Sequence, residues 1–348
     1  MDLPTLWFVL IAILWIGYFF LEGFDFGVGI LLPVIGRTDA ERRAVVNTIG
    51  PVWDGNEVWL LVAGGATFAA FPEWYAALFS GFYLALFLIL LALIVRGVAF
   101  EFRSKRPEKE WRRRWDGAIV GGSLLPAILW GVAFANIVAG IPLDAEHRFT
   151  GTLLTLLNPF GLLGGLATLA LFTYHGALFL SLKTDGVLRD RAHRAAAILG
   201  PVTIVVAGGF LAVAQLTRGG TLSLVLAGVA AVGLVVAVVA ARVRRELIAF
   251  LGSGTGIAAA VAALFAGLYP SVLPSTIDPA FGLTVTNAAS TPYTLGIMTV
   301  VALVFTPIVL LYQGWTYWVF RQRIQSEIRP SPAGDGDRPA ASPGSEAR

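Results

Sequence analysis

Four carboxylates stand inside stretches that otherwise read as membrane-spanning: Glu22 and Asp25 in "GYFFLEGFDFGVGILLP", and Asp54 and Glu57 in "GPVWDGNEVWLLVAGG". Each pair has i, i+3 spacing, which puts both acids on one helical face. An Asp at the centre of a spanning helix costs roughly 2.5 to 3.5 kcal/mol on the insertion scale, so acids kept there are paired, protonated or hydrated. Arg96, Glu101 and Asp116 follow in the next two apolar segments. A single guanidinium, Arg96, cannot neutralise all of these acids. Two readings stay open on the residues alone. In one, Glu22, Asp25, Asp54, Glu57, Glu101 and Asp116 line a proton or cation half-channel, with Arg96 balancing charge and Trp53 and Asn56 in support. In the other, the same groups are polar glue between helices.

The elements that must position them are helices. The chain is 57% hydrophobic and 14% charged, and its apolar runs repeatedly exceed the 18 or so residues that a bilayer crossing needs. We expect an all-α polytopic membrane domain over 1–329, with nine crossings at about 4–35, 44–70, 75–102, 115–139, 157–182, 194–216, 221–242, 247–269 and 292–321, and a disordered cytoplasmic tail over 330–348. Basic residues crowd alternate connections, as around Arg42, Lys105, Arg113, Arg189, Arg244 and Arg321, whereas the others carry only Arg148 and Arg218. The positive-inside rule then puts the N-terminus outside and the C-terminus in the cytoplasm. Asp25 and Asp54 each lie eleven residues from the charged end of their segment, about 16 Å deep if each runs as one helix.

Several chemistries are excluded or disfavoured. There are no cysteines, so disulfides and thiolate sites are excluded. The net charge of +3 follows from the loops that orient the chain, and no nucleic-acid partner is expected. The three histidines are scattered, and only His175 falls within a helix, so neither a metal centre nor a haem held by two ligands of this chain is expected. "GSGTG" at 252–256 lacks the Lys of a phosphate loop and suits close helix packing. Asn158 and Pro159 in "LNPFG" read as a helix cap and first turn.

Taken together, "EGFDFGVG", "WDGNEVW" with "AGGATFAAFP", "YAALFSGFY", "RGVAFEFRSK", "LLNPFGLLGG" and "LTVTNAASTPYTL" resemble subunit II of the cytochrome bd quinol oxidases, from the first helix to about residue 323. The resemblance implies two four-helix bundles plus a peripheral helix in the bacterial cytoplasmic membrane. It also implies a larger subunit I that carries haems b and d and the quinol site, small single-helix accessory subunits, and bound lipid. The complex would oxidise quinol and reduce oxygen to water with protons from the cytoplasm. Asp25, Asp54, Arg96 and Asp116 match polar positions that matter in the family, Asp54 foremost as a proton route toward the partner's haems, and Glu22 and Glu101 stand where family members carry Asp. Some members hold a structural quinone in an apolar groove of this subunit. The alternative is a proton- or cation-coupled secondary transporter, against which only the first half of the chain carries deep acids. The topology is checked with an accessibility reporter, expected outside at Glu73 and Asp278 and inside at Lys105; an inside signal at Glu73 would restore an eight-crossing chain.

Overall fold

The structure is a computed structural model that describes residues 2–324; the expected tail at 330–348 lies outside the described residues. Its helices are α1 (Leu3–Ile35), α2 (Asp39–Ile49), α3 (Trp53–Ala70), α4 (Pro72–Gly81), α5 (Tyr83–Phe102), α6 (Lys109–Ala139), the single turn α7 (Leu153–Leu156), α8 (Pro159–Lys183), α9 (Gly186–Arg218), α10 (Thr221–Arg242), α11 (Glu246–Leu268) and α12 (Pro292–Val319). Eight of them, namely α1, α5, α6 and α8 to α12, are long and apolar enough to cross a membrane. Helix α3 has 18 residues, about 27 Å, and its first turn carries Asp54. It packs as a helix on α1.

Two expected segments are interrupted. The run 44–70 breaks at Gly50–Pro51, where the proline ring removes a backbone donor, and it restarts at Trp53. The run 75–102 begins earlier, at Pro72, and divides at Phe82 into α4 and α5. Helix α2 is a separate short element closed by a capping box, in which Thr38 accepts from the Glu41 amide and Glu41 accepts from the Thr38 amide.

Helix α1 is the hub, packed against α3, α6, α8 and α11. Its contact with α8 is set by Gly27 and Gly176, because a Cβ on either residue would overlap the backbone of the other helix. Without a hydrophobic force between helices in lipid, such close approach is what dispersion requires. Helices α10 and α11 meet likewise through Gly233 and the glycines of "GSGTG", where a Cβ on Gly233 would stand 2.9 Å from Gly252 O. Asn158 caps α8 by accepting from the Gly161 amide, with Pro159 in the first turn. Around α1 the core is aromatic: Trp15, Tyr18, Phe19, Trp130 and Phe134 meet edge to face at centroid separations of 4.9 to 5.7 Å for Phe19–Phe134, Trp15–Trp130 and Tyr18–Trp130.

At the end opposite the basic connections, the two longest loops close over the bundle together. Strand β1 (Ser271–Leu273) pairs antiparallel with β2 (Leu283–Thr284), the Ile141 amide donates to Pro274 O at 3.0 Å, and the Ser290 amide donates to Ala70 O at the end of α3. Helix α12 runs along the outside, with Leu295 its one buried residue. Gly27→Leu should therefore overpack the α1–α8 contact and lower the thermal midpoint of the detergent-solubilised protein, at about 1–3 kcal/mol or more. An unchanged melting curve would show that the two helices are not held at this point.

Candidate functional site

The deep acids meet on α1, α3 and α5. Glu22, Asp25 and Arg96 are all 0% exposed. Arg96 Nη2 donates to Glu22 Oε1 and lies 3.8 Å from Glu57 Oε2, whose side chain is 22% exposed. Asn56 Nδ2 donates to Asp25 Oδ2 at 2.7 Å. The guanidinium also lies over the Phe26 ring at 4.7 Å, and Gly122 of α6 makes room behind it, where a Cβ would stand 2.7 Å from that of Arg96. Glu22 Oε2, Asp25 Oδ1, Arg96 Nε and Arg96 Nη1 are buried and make no hydrogen bond among the described residues. Three acids thus face one cation. Two carboxylate oxygens are free of donors and can take a proton.

The other expected residues lie elsewhere. Asp54 is exposed, and its one hydrogen bond is from the Gly55 amide at 2.8 Å. It lies one turn from Glu57 but outside the Arg96 cluster, and because α2 and α3 are separate helices, the depth extrapolated along one continuous helix does not hold. Trp53 packs on Phe100 with ring centroids 5.1 Å apart. Glu101 is exposed and joins no ion pair among the described residues. Asp116 forms a second site at the basic end: it accepts from Arg103 Nε at 2.5 Å and Arg42 Nη1 at 2.9 Å, while Asp39 accepts from Arg103 Nη2 at 2.9 Å and Arg112 Nη1 at 2.6 Å. These contacts clamp α2 to α5 and α6.

Trp59, which flanks the acids in sequence, joins the cluster through Gln313 and Asn56, together with two residues of α12 that sequence reasoning did not assign to it, Gln313 and Tyr317, the latter read as part of an aromatic belt. The signal was there in Gln313, a lone amide in the apolar run of α12. An apolar groove of about 490 Å³ also opens between α3, α4, α5 and α6, lined among others by Trp15, Leu61, Gly65, Phe79, Leu86 and Trp130.

The family model for cytochrome bd terminal oxidase subunit II matches residues 3–320, nearly the whole described chain. The chain belongs to that family. It is 41% identical over 328 residues to the cytochrome bd ubiquinol oxidase subunit 2 of Bacillus subtilis (strain 168), covering 93% of this chain and 97% of the relative. It is 37% identical over 363 residues to the cytochrome bd-I ubiquinol oxidase subunit 2 of Escherichia coli (strain K12), covering 93% and 96%. Its fold is similar to a chain in the structure of bd oxidase from Geobacillus thermodenitrificans, with a TM-score of 0.73 at 17% identity over 92% of this chain and 97% of that one. This subunit II is a multi-pass membrane protein and part of a respiratory quinol:oxygen oxidoreductase.

The residues present do not suit a haem or a metal ion. Both ring nitrogens of His175 are engaged, Nδ1 with Ser253 Oγ at 2.7 Å and Nε2 with Phe20 O at 3.2 Å, and its ring stacks on Phe250 at 4.5 Å. His193 pairs with Glu246 at 2.9 Å and His147 Nδ1 meets Phe281 O at 2.9 Å, each far from the others in the fold. Among the described residues no three His, Asp or Glu side chains are grouped to hold a metal ion.

The acids at the basic end do structural work that pH can read. Arg191 Nη1 donates to Glu41 Oε2 at 2.8 Å and holds its carboxyl below the usual range, partial burial opposing and the Thr38 and Arg37 amides adding to the effect. A depressed carboxyl contributes stability that is present above its unfolded value and is lost as pH falls through the folded one. The attachment of α2 to α9 should thus hold at neutral pH and loosen below the ordinary glutamate range. Arg191→Gln should loosen α2 already at neutral pH and flatten its dependence on pH, read as mobility of a spin label at the exposed Asn47; coincident profiles for the two proteins would remove Glu41 from the docking.

Proposed function

We propose that this chain is the haem-free subunit that supports a haem-bearing subunit I and lines part of the path by which cytoplasmic protons reach its oxygen-reducing centre. The observation that carries this reading is the imbalance of three membrane-embedded acids against Arg96, in a chain of the bd oxidase family. Haems b and d and the quinol site belong to subunit I in this reading. Electrons therefore bypass this chain, and its contribution is packing and protons.

Several features favour the finer architecture. Counting α3 as a crossing gives nine, in keeping with the alternation of basic connections, and puts the N-terminus outside and the C-terminus inside the bacterial cytoplasmic membrane. Helices α1, α3, α5 and α6 make one bundle and α8 to α11 the other, with α12 peripheral. Subunit I would cover the face of α3 and α5 that carries Asp54 and the exposed Leu61, Phe68, Phe87 and Leu91. Positions 64, 65, 117 and 121 support close approach there, since a Cβ on any of these glycines would meet nothing within 4 Å. Asp54 then lies at the subunit boundary, one turn ahead of Glu57 and the buried Glu22 and Asp25, while Glu101 and Asp116 stand at the cytoplasmic mouth. The apolar groove suits the prenyl chain of a structural quinone or the acyl chain of a lipid, and single-helix accessory subunits have the outer surfaces of the bundle available.

Asp54→Asn tests the route, because it keeps size and most hydrogen bonds while removing the exchangeable proton. In a complex with full haem content, oxygen consumption and proton uptake should fall together, by up to about 100-fold if Asp54 acts as a positioned acid and base. Normal turnover in that assembled variant would leave the acids as interhelical glue.

A further inference from the structure

A line of polar side chains leads from the peripheral helix to Asp25, and its direction is fixed at the far end. Trp59 Nε1 of α3 donates to Gln313 Oε1 of α12 at 2.9 Å. An indole N–H is a donor only, so Gln313 must turn its oxygen toward Trp59 and its NH2 away. That NH2 lies 3.4 Å from Asn56 Oδ1, which also accepts from the Tyr317 hydroxyl at 2.7 Å. The carbonyl end of Asn56 is thereby held toward α12. Its NH2 end is the one left for Asp25, at 2.7 Å from Oδ2. A reversed Asn56 would set its NH2 against that of Gln313 and its carbonyl against the Asp25 carboxylate. Both contacts are repulsive.

We infer that Trp59, Gln313 and Tyr317 are positioning residues that lock Asn56 as a donor, making Asp25 Oδ2 a permanent acceptor and Oδ1 the atom at which Asp25 gains and loses its proton. Oδ1 is the buried oxygen that accepts from no donor among the described residues. Protonation adds one H⁺ from a hydrated proton to Oδ1, leaves water behind, and turns Oδ2 into a carbonyl oxygen that keeps the same Asn56 bond. Release returns the carboxylate with nothing rearranged. A peripheral helix that buries little of its own surface thus sets the protonation geometry of a residue on the central helix. This rests on the reading of Asp25 as a proton-exchanging group.

The test is difference infrared spectroscopy of the complete, haem-loaded oxidase as pH is stepped. In the unaltered complex one narrow carboxylic-acid carbonyl band should respond and disappear in Asp25→Asn. Gln313→Met removes the amide that links Trp59 to Asn56, and Trp59→Phe removes its donor while keeping a ring at the site; each is made together with Tyr317→Phe, which takes away the hydroxyl that would still hold the Asn56 carbonyl. In each, Asn56 can adopt both orientations, so the Asp25 band should split into a hydrogen-bonded component and a free one at higher wavenumber, with kcat lowered and the KM for quinol unchanged. A single unmoved band in either assembled variant overturns the lock alone. Absence of any band that Asp25→Asn removes overturns the proton-exchange reading and the lock with it.

Discussion

The burial of Arg96 constrains everything near it. A guanidinium is always charged, and withdrawing it from water costs several kcal/mol even after relaxation. Its position, with no exposed surface, is tenable because Glu22, Glu57 and the faces of Phe26 and Phe100 surround it. Those partners come from α1, α3 and α5, and α6 contributes the glycine at 122 that gives the side chain room. The four helices of the polar half therefore converge on one charge. Removing Arg96 or Glu22 would leave the other buried and uncompensated, a loss on the order of 3–5 kcal/mol.

The second half of the chain has no such anchor and is held differently. Helices α8 to α11 rely on small residues that let backbones meet, as at Gly233 with Gly252, and on hydroxyls that bond across helices, as Ser223 does to Ala263 O at 2.9 Å. His175 belongs to this packing and not to the chemistry: Ser253 and the Phe20 carbonyl satisfy its ring. The halves are joined at two glycine contacts, Gly131 of α6 with Gly164 of α8 and Gly27 of α1 with Gly176 of α8, the second within one turn of Asp25 on α1. A change in α1 there would reach the acids directly.

The apolar runs made the spanning helices legible, and the scarcity of charge within them pointed to Glu22, Asp25, Glu57 and Arg96. The breaks at Pro51 and Phe82 were less visible, because a hydropathy pattern does not register where a helix axis ends inside an apolar run. Asp54 shows the limit of spacing arguments. It shares a sector of α3 with Glu57, yet at the first turn of that helix it falls on the exposed side while Glu57 reaches Arg96. Asp116 looked like a further proton group, but its role depends on Arg42 and Arg103, which are remote in sequence or hidden among loop cations. Gln313 stood out as a lone amide in an apolar run, but what it and Tyr317 touch did not. Their partner Asn56 is more than 250 residues away, and no local pattern connects them.

Charge matching separates the acids that hold still from those that can change state. At the basic end several acids meet more than one cation: Asp116 has Arg42 and Arg103, the exposed Asp39 has Arg103 and Arg112, and Glu246 has Arg189 and Arg323 with His193 beside them, while Glu41 has Arg191. Such sites hold their geometry fixed, as a clamp requires. Among the described residues the cluster on α1, α3 and α5 is the reverse, with Glu22, Asp25 and Glu57 sharing Arg96. Here like charges in a medium of low dielectric disfavour full ionisation, while the arginine disfavours full neutrality. The surrounding helices, clamped at one end by ion pairs and closed at the other by the loop cap, hold the partners of that cluster in place.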